Sequence, residues 1–366
     1  DVGWGRVCVF LKRLGKKGDS RSLSLAHCDL TATDLLDNVA AVPPQVEEMD
    51  ISWNELIGGS LTALTSHLQH VGEVRTLRLC SCRLNSEDVV ALGGIFSADS
   101  ALFILIYSYN RTTSLCGSLR CLPSVGELDL SCNKLLAGGL SRLTFHLAHV
   151  THLERLDLHL CCLMRDDLEA LIQVLPSLTA LTELDVSSNK EVGGVVHPLV
   201  SALPVTQMRR LPFNSCYLSN ESWVTHTHTH THTSLAVPYL RTVDISWCKV
   251  VGGHLALLLD ALQPSVVSEL HLCSYEFTTD DMQHLAAVCR RGCLSSLRAL
   301  DLSYNSLVGD DGWCSLFAAG GLGSLEDVDV SLRPLTSAPC SACCRSAPSS
   351  ASNAGAGSTG HAEVDS

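Results

Sequence analysis

One short pattern recurs along this 366-residue chain and constrains its fold more than any other feature. The pattern is L-x-x-L-x-L-x-x-N/C-x-L, and "VGELDLSCNKL" at residues 125–135 is a clear copy. An apolar residue occupies its fourth position at 23, 49, 77, 128, 156, 184, 211, 243, 270, 300 and 328. Most steps are 26 to 30 residues long, with exceptions of 51 and 32. This spacing predicts stacked units, because no single unit can bury its own apolar side.

Two kinds of unit alternate along the chain. One has Cys at the ninth position, followed by a polar residue and an acid, as in "CRLNSEDVVAL" from Cys82. The other has Asn there, followed by a glycine pair, as in "CNKLLAGG" from Cys132. This alternation resembles the ribonuclease-inhibitor type of leucine-rich repeat. The resemblance implies an α/β fold: a right-handed leucine-rich repeat solenoid, or horseshoe, with parallel strands on the concave face and helices on the convex face.

A closer resemblance covers most of residues 10 to 334. The segments "FLKRLGKKGDSRSLSLAHCDLTATDL" from Phe10 and "LDLSYNSLVGDDGWCSLF" from Leu300 are similar to the family of leucine-rich repeat-containing protein 31. The repeated "DISW" at Asp50 and Asp244 supports the similarity. It implies a non-enzymatic scaffold with protein partners and offers no catalytic residues.

Periodicity within one unit predicts its local structure. On a short strand, positions 4 and 6 of the pattern point into the core, while positions 5, 7 and 8 face outward. In the following half, Leu168, Leu171, Ile172 and Leu175 recur at three and four residues, which predicts one apolar helix face. Thr278 or Thr279, ahead of two aspartates, predicts a helix start.

The same reasoning divides the chain. We predict an N-terminal lead-in at 1–19, a solenoid of about eleven repeats at 20–335, and a disordered Ser/Ala/Gly-rich tail at 336–366. The long step suggests an insertion near 97–117. The rival is a degenerate twelfth repeat, since Leu105 and Asn110 fall on register. We favour the insertion, because a twelfth repeat would break the Cys/Asn alternation.

A second interruption, near 224–234, is the alternating run "THTHTHTHT". Its histidines are chemically suitable metal ligands, but alternation alone defines no coordination geometry. The run replaces an expected outer helix, so we interpret it as an expanded coding repeat. We predict no metal and no cofactor.

The cysteine positions and the net charge indicate the cellular compartment and exclude some classes of partner. Of eighteen cysteines, five occupy ninth positions: Cys28, Cys82, Cys161, Cys216 and Cys248. This regular placement predicts reduced core thiols and a cytoplasmic location. A net charge of -13 argues against a nucleic-acid partner. No apolar run approaches the roughly 20 residues that span a bilayer, so we predict no membrane association.

The inner face of such a solenoid is the candidate binding surface. Its central column, template position 5, contains seven aspartates: Asp50, Asp129, Asp157, Asp185, Asp244, Asp301 and Asp329. Position 8 adds Trp53, Trp247 and Tyr304. These residues predict an acidic groove for a protein partner and favour a basic one. The alternative is that the acids are simply solvated and that each scattered aromatic packs only on its neighbouring strand.

We therefore predict a non-enzymatic scaffold for protein–protein interaction. One alternative is a ribonuclease-inhibitor-like inhibitor of a basic enzyme. Another is the recognition subunit of a larger enzyme system, although no G-x-x-x-x-G-K-[ST] phosphate loop is present. Histidines and acids fall on repeat positions instead of converging, so we predict no catalytic residues.

Overall fold

The structure is a computed structural model that describes residues 21–38, 45–68, 74–93, 103–110, 125–204, 207–218, 239–248, 266–273 and 277–331. Within them, twelve three-residue strands form one parallel sheet in sequence order. The strands are β1 Ser22–Ser24, β2 Glu48–Asp50, β3 Thr76–Arg78, β4 Ile104–Ile106, β5 Glu127–Asp129, β6 Arg155–Asp157, β7 Glu183–Asp185, β8 Arg210–Pro212, β9 Thr242–Asp244, β10 Glu269–His271, β11 Ala299–Asp301 and β12 Asp327–Asp329.

The core runs through all units as rows of matched apolar side chains. Leu128, Leu156 and Leu184 are aligned across β5, β6 and β7, and all three are buried. Each fully buried Leu contributes roughly 1.5–3 kcal/mol. All eleven fourth positions predicted from the pattern are strand centres, which confirms the stacked-repeat prediction.

In the described residues, α-helices follow eight of the strands, and helices of adjacent units pack on each other. They are α1 Ala32–Asn38, α2 Leu61–Leu68, α3 Ser86–Gly93, α4 Leu140–Leu147, α5 Arg165–Val174, α6 Val196–Ala202, α7 Thr279–Arg290 and α8 Asp310–Phe317. In α5, Leu168 and Leu171 are fully buried, as expected. Before α7, the Thr278 hydroxyl accepts the Asp281 N–H at 3.2 Å, so Thr278 is the N-cap. The fold is the expected α/β solenoid of right-handed β–α–β units.

The region of the expected insertion contains a strand of the sheet. Leu105 in β4 aligns with Leu77 in β3 and with Leu128 in β5. Asn110 donates to the Leu79 carbonyl at 2.5 Å, and its Oδ1 accepts the Cys82 N–H at 3.1 Å. The prediction of an insertion over 97–117 is therefore wrong for residues 103–110, which form the strand and turn of a twelfth repeat. The Asn amide holds this unit to its neighbour, although the Cys/Asn alternation is broken.

Ninth-position side chains join each unit to the one before it. The Asn189 amide donates to the Leu158 carbonyl at 2.9 Å and accepts the N–H groups of Cys161 and Leu163. A ninth-position thiol reaches the equivalent carbonyl: Cys161 Sγ lies 3.1 Å from the Leu130 oxygen. Burial raises the pKa of Cys82, Cys161 and Cys216 to about 12, so these thiols stay protonated. All cysteines in the described residues are free.

The acid of one unit caps the glycine loop of the preceding unit. The Asp167 carboxylate accepts N–H groups from Gly138 at 2.7 Å and Leu140 at 3.1 Å. It also accepts the N–H of Met164 at the start of its own helix. Asp88 contacts Gly59 and Leu61 in the same way. This contact explains why an acid after Cys alternates with glycines after Asn.

Several predicted segments lie outside the described residues. These are the lead-in 1–19, the Thr-His run 224–234 and the tail 336–366. Among the helices described, none combines the length and apolar character needed to cross a bilayer.

Candidate protein-interaction face

All seven predicted aspartates lie in one column on the inner face of the sheet, and each has a local structural contact. The Oδ1 atom of each accepts the N–H of the residue two positions later, at 2.8–3.0 Å. The pairs are Asp50 with Ser52, Asp129 with Ser131, Asp157 with His159, Asp185 with Ser187, Asp244 with Ser246, Asp301 with Ser303, and Asp329 with Ser331. One oxygen of each carboxylate therefore supports the turn that follows its strand.

That turn places template position 8 in the left-handed region. Every eighth-position residue that the structure describes has φ between 52° and 63°. The N–H of this residue also donates to the next unit, as from Trp53 to the Cys80 carbonyl at 2.7 Å. A non-glycine residue in this conformation costs roughly 1–2 kcal/mol. The inter-unit hydrogen bonds impose the conformation whatever side chain is present.

Bulky aromatic residues nevertheless occupy four of these positions. They are Trp53, Tyr109, Trp247 and Tyr304, and each side chain is 42–54% exposed. A large exposed aromatic at a strained turn adds nothing to the core. Trp and Tyr are enriched where protein interfaces concentrate their binding energy.

The aromatics form two clusters, which corrects the expectation that they are scattered. In the first, the Trp53 ring stacks on the His27 ring, with 5.3 Å between the ring centroids, and contacts the tilted Tyr109 ring at a centroid distance of 5.5 Å. In the second, Trp247 meets Tyr304 at 5.3 Å. Trp53 and Tyr109 come together across the intervening unit, whose eighth residue is the small Ser81. Tyr109 was not among the predicted residues, although it precedes Asn110 as Trp53 precedes Asn54.

The central aspartates are partly neutralised by arginines of the same face. Arg155 lies 3.8 Å from both Asp157 and Glu183, and Arg210 lies 3.6 Å from Asp185. Asp157 and Asp185 therefore each lie within 4 Å of an arginine from the neighbouring column of the sheet. Burial, with a contribution from Asp185 and Asp129, still raises the pKa of Asp157 to about 6.

A His, a Ser and an Asp meet on this face, yet the arrangement does not suit nucleophilic catalysis. The Ser187 hydroxyl donates to Asp185 at 2.5 Å, and His159 Nδ1 lies 2.7 Å from the same hydroxyl. Because the serine proton is directed at a carboxylate, the imidazole is not placed as its base. In the part of the chain that the structure describes, no His, Cys, Asp and Glu side chains group as metal ligands.

Comparisons with known proteins agree with this architecture. The family described as "Leucine Rich repeat" matches residues 293–313. The ribonuclease inhibitor of Mus musculus is 28% identical over 275 residues, which are 73% of this chain and 54% of the inhibitor. The chain thus spans about half the length of that relative. The ribonuclease inhibitor of Sus scrofa is 27% identical over 357 residues, covering 86% of this chain and 76% of the inhibitor.

A solved structure, the Rad7 and Elc1 complex in yeast, contains a chain with the same fold. It superposes with a TM-score of 0.57 at 16% identity, covering 90% of this chain and 83% of the other. The closer resemblance to leucine-rich repeat-containing protein 31 stays a prediction. The protein is a leucine-rich repeat solenoid, and its relatives support the ribonuclease-inhibitor type of that repeat.

Proposed function

We propose that this chain is a non-enzymatic scaffold that binds a protein partner on the inner face of its sheet. The observation that carries the proposal is the set of exposed aromatics held in the left-handed turn, in two clusters. In other units, small residues such as Ser81 and Ser188 occupy the same left-handed position. Trp and Tyr there present large rigid surfaces at low entropic cost, as interface anchors do.

The aspartate column has a second part in this proposal. Each carboxylate uses one oxygen for its turn, and its charge still contributes to the face. Together with the net charge of -13, the column would attract a basic partner and raise the association rate. The protonated core thiols are consistent with a reducing, cytoplasmic setting.

Inhibition of a basic enzyme is the second candidate function. Its support is the similarity to two ribonuclease inhibitors and the acidic column. Against it, Arg155 and Arg210 neutralise part of that column. A partner held mainly by charge would dissociate as salt rises, whereas one held by the aromatic clusters would resist salt.

The test compares partner capture by the full chain and by matched aromatic variants. Trp53→Ser and Trp247→Ser each remove one inner-face anchor, and serine already occupies equivalent positions. Phe145→Ser is the control, because Phe145 is 70% exposed on α4, away from the sheet. We expect the inner-face variants to lose at least about tenfold in affinity for captured partners, and the control to lose nothing. Unchanged capture by both tryptophan variants would contradict the proposal.

A further inference from the structure

The twelfth repeat gives the inner face an apolar patch. On β4, Ile104 and Ile106 both point to the inner face and are half-buried. Among the twelve described strands, β4 alone has apolar side chains at both inward positions. Its neighbours at the same register are Thr76 and Arg78 on β3 and Glu127 and Asp129 on β5.

A depression of about 260 Å³ lies over these two isoleucines. We call it the β4 depression, and besides the isoleucines its lining includes Glu48, Arg78, Glu127, Asp129 and Arg155. Sites for free small molecules usually measure about 300–1,000 Å³ and enclose most of the ligand. This smaller depression on an extended sheet suits one side chain of a larger partner.

The rim of the β4 depression is acidic. Glu48, Glu127 and Asp129 contribute three carboxylates. Two arginines oppose them: Arg78, and Arg155, which acts on Glu127 but also lies 3.8 Å from Asp157 and Glu183 on its far side. The carboxylates of the rim therefore outnumber its cations. Partial burial raises the pKa of Glu127, so its charge is incompletely solvated. A cation brought against this rim would replace part of the missing solvation.

From this geometry we infer that the β4 depression receives one apolar side chain of a protein segment that carries Lys or Arg beside it. The inference rests on the proposed function and names the partner chemistry. The isoleucines would contact the apolar side chain, and Glu48, Glu127 and Asp129 would contact the cation. The first aromatic cluster lies in the same units, three residues beyond β2 and β4, and offers ring faces to the same segment.

A phage-displayed library of random linear peptides, panned on the immobilised full chain, tests this chemistry without a known partner. We expect enrichment of peptides in which a large apolar residue adjoins Lys or Arg. A fluorescent synthetic copy of an enriched peptide is then titrated with the full chain and with its variants. The double variant Ile104→Thr/Ile106→Thr keeps β-branched residues on β4 and should weaken binding about tenfold. Glu48→Gln/Glu127→Gln should weaken it about threefold and reduce its salt dependence.

Two controls separate this inference from the proposed function. Phe145→Ser, on α4 and away from the sheet, should leave peptide affinity unchanged, and thermal melts should match for all variants. No enrichment, enrichment of acidic peptides, or equal affinity for the isoleucine variant would each overturn the inference. If the peptides or captured partners respond to Trp53→Ser but not to the isoleucine variant, the proposed function stands and the β4 depression is not the site.

Discussion

Two regions of the inner face, β1–β4 and β5–β8, share a backbone conformation but present different chemistry. In β5–β8, Arg155 and Arg210 pair with the acids around them, and small or aliphatic residues occupy the left-handed turns. In β1–β4, two isoleucines lie on the inner face, and Trp53 and Tyr109 occupy two of the left-handed turns. The repeat sets the geometry in both regions. A side chain of this face is available to a partner only where neighbouring side chains at the same register have not already paired with it.

The largest expected effect is on the free energy of unfolding, and it tests whether β4 is part of the cooperatively folded solenoid. Asn110→Ala should lower the free energy of unfolding by about 3 kcal/mol, since it leaves the Cys82 N–H and the Leu79 carbonyl buried and unpaired. Asn189→Ala in the second region is the matched control and should cost a similar amount. Denaturant unfolding measures both. A negligible cost for Asn110→Ala alone would place residues 103–110 outside the cooperative solenoid.

The next effect contrasts binding by the two regions. Trp53→Ser should weaken partner binding by about 2 kcal/mol, because an exposed anchor is removed. Asp185→Asn in the second region should weaken binding by less than about 0.5 kcal/mol, because that carboxylate already contacts Arg210 and Ser187. Isothermal titration with a captured partner measures both. A larger loss for Asp185→Asn would assign binding to the charged region.

A smaller effect concerns the pH dependence of stability in the charged region. The native pKa of Asp157, about 6, exceeds its ordinary value of 3.8, so the folded state binds more protons between these values. Stability should therefore fall as pH rises from about 4 to 6 and stay lower above that. Asp157→Asn should remove this fall and raise stability at pH 7 by about 1–2 kcal/mol. Melting curves at several pH values measure it, and an unchanged slope would refute the assignment to Asp157.

The smallest expected effect is faster hydrogen exchange at β8, the last strand of the charged region. Pro212 has no N–H to donate, and β7 pairs with β8 at one position, whereas β6 pairs with β7 at three. Amides of residues 208–218 should exchange with solvent about threefold to tenfold faster than those of 153–190. Hydrogen exchange followed by mass spectrometry measures the ratio. Equal protection would show that β8 is as firmly held as its neighbours.

Sequence periodicity predicted much of the fold because the repeat is enforced locally. Each strand centre must be apolar to fill the row it shares with its neighbours, so Leu128 and Leu156 could be placed from spacing alone. Thr278 could be predicted as an N-cap because its hydroxyl and the Asp281 N–H are close in the chain. The repeat that contains β4 was predicted to be an insertion for two reasons. The spacing from Leu105 to Leu128 is shorter than the other steps, and its ninth residue, Asn110, breaks the Cys/Asn alternation.

The candidate site was less predictable, since it depends on contacts between units. Spacing placed Asp157 and Asp185 in one column, but it did not reveal that Arg155 lies between Asp157 and Glu183. It placed Trp53 on the inner face, but not against His27 and Tyr109. A side chain's rotamer and reach decide such contacts, and no periodic pattern encodes them.

By itself, then, the sequence determined the solenoid, its strand register and the residues that face inward, because burial of regularly spaced leucines admits one stacking arrangement. Contacts between stacked units, in contrast, established that β4 joins the sheet and that the aromatics form two clusters. Those outcomes depend on hydrogen bonds and ring contacts between residues 26 to 57 positions apart, which form only after neighbouring units have stacked.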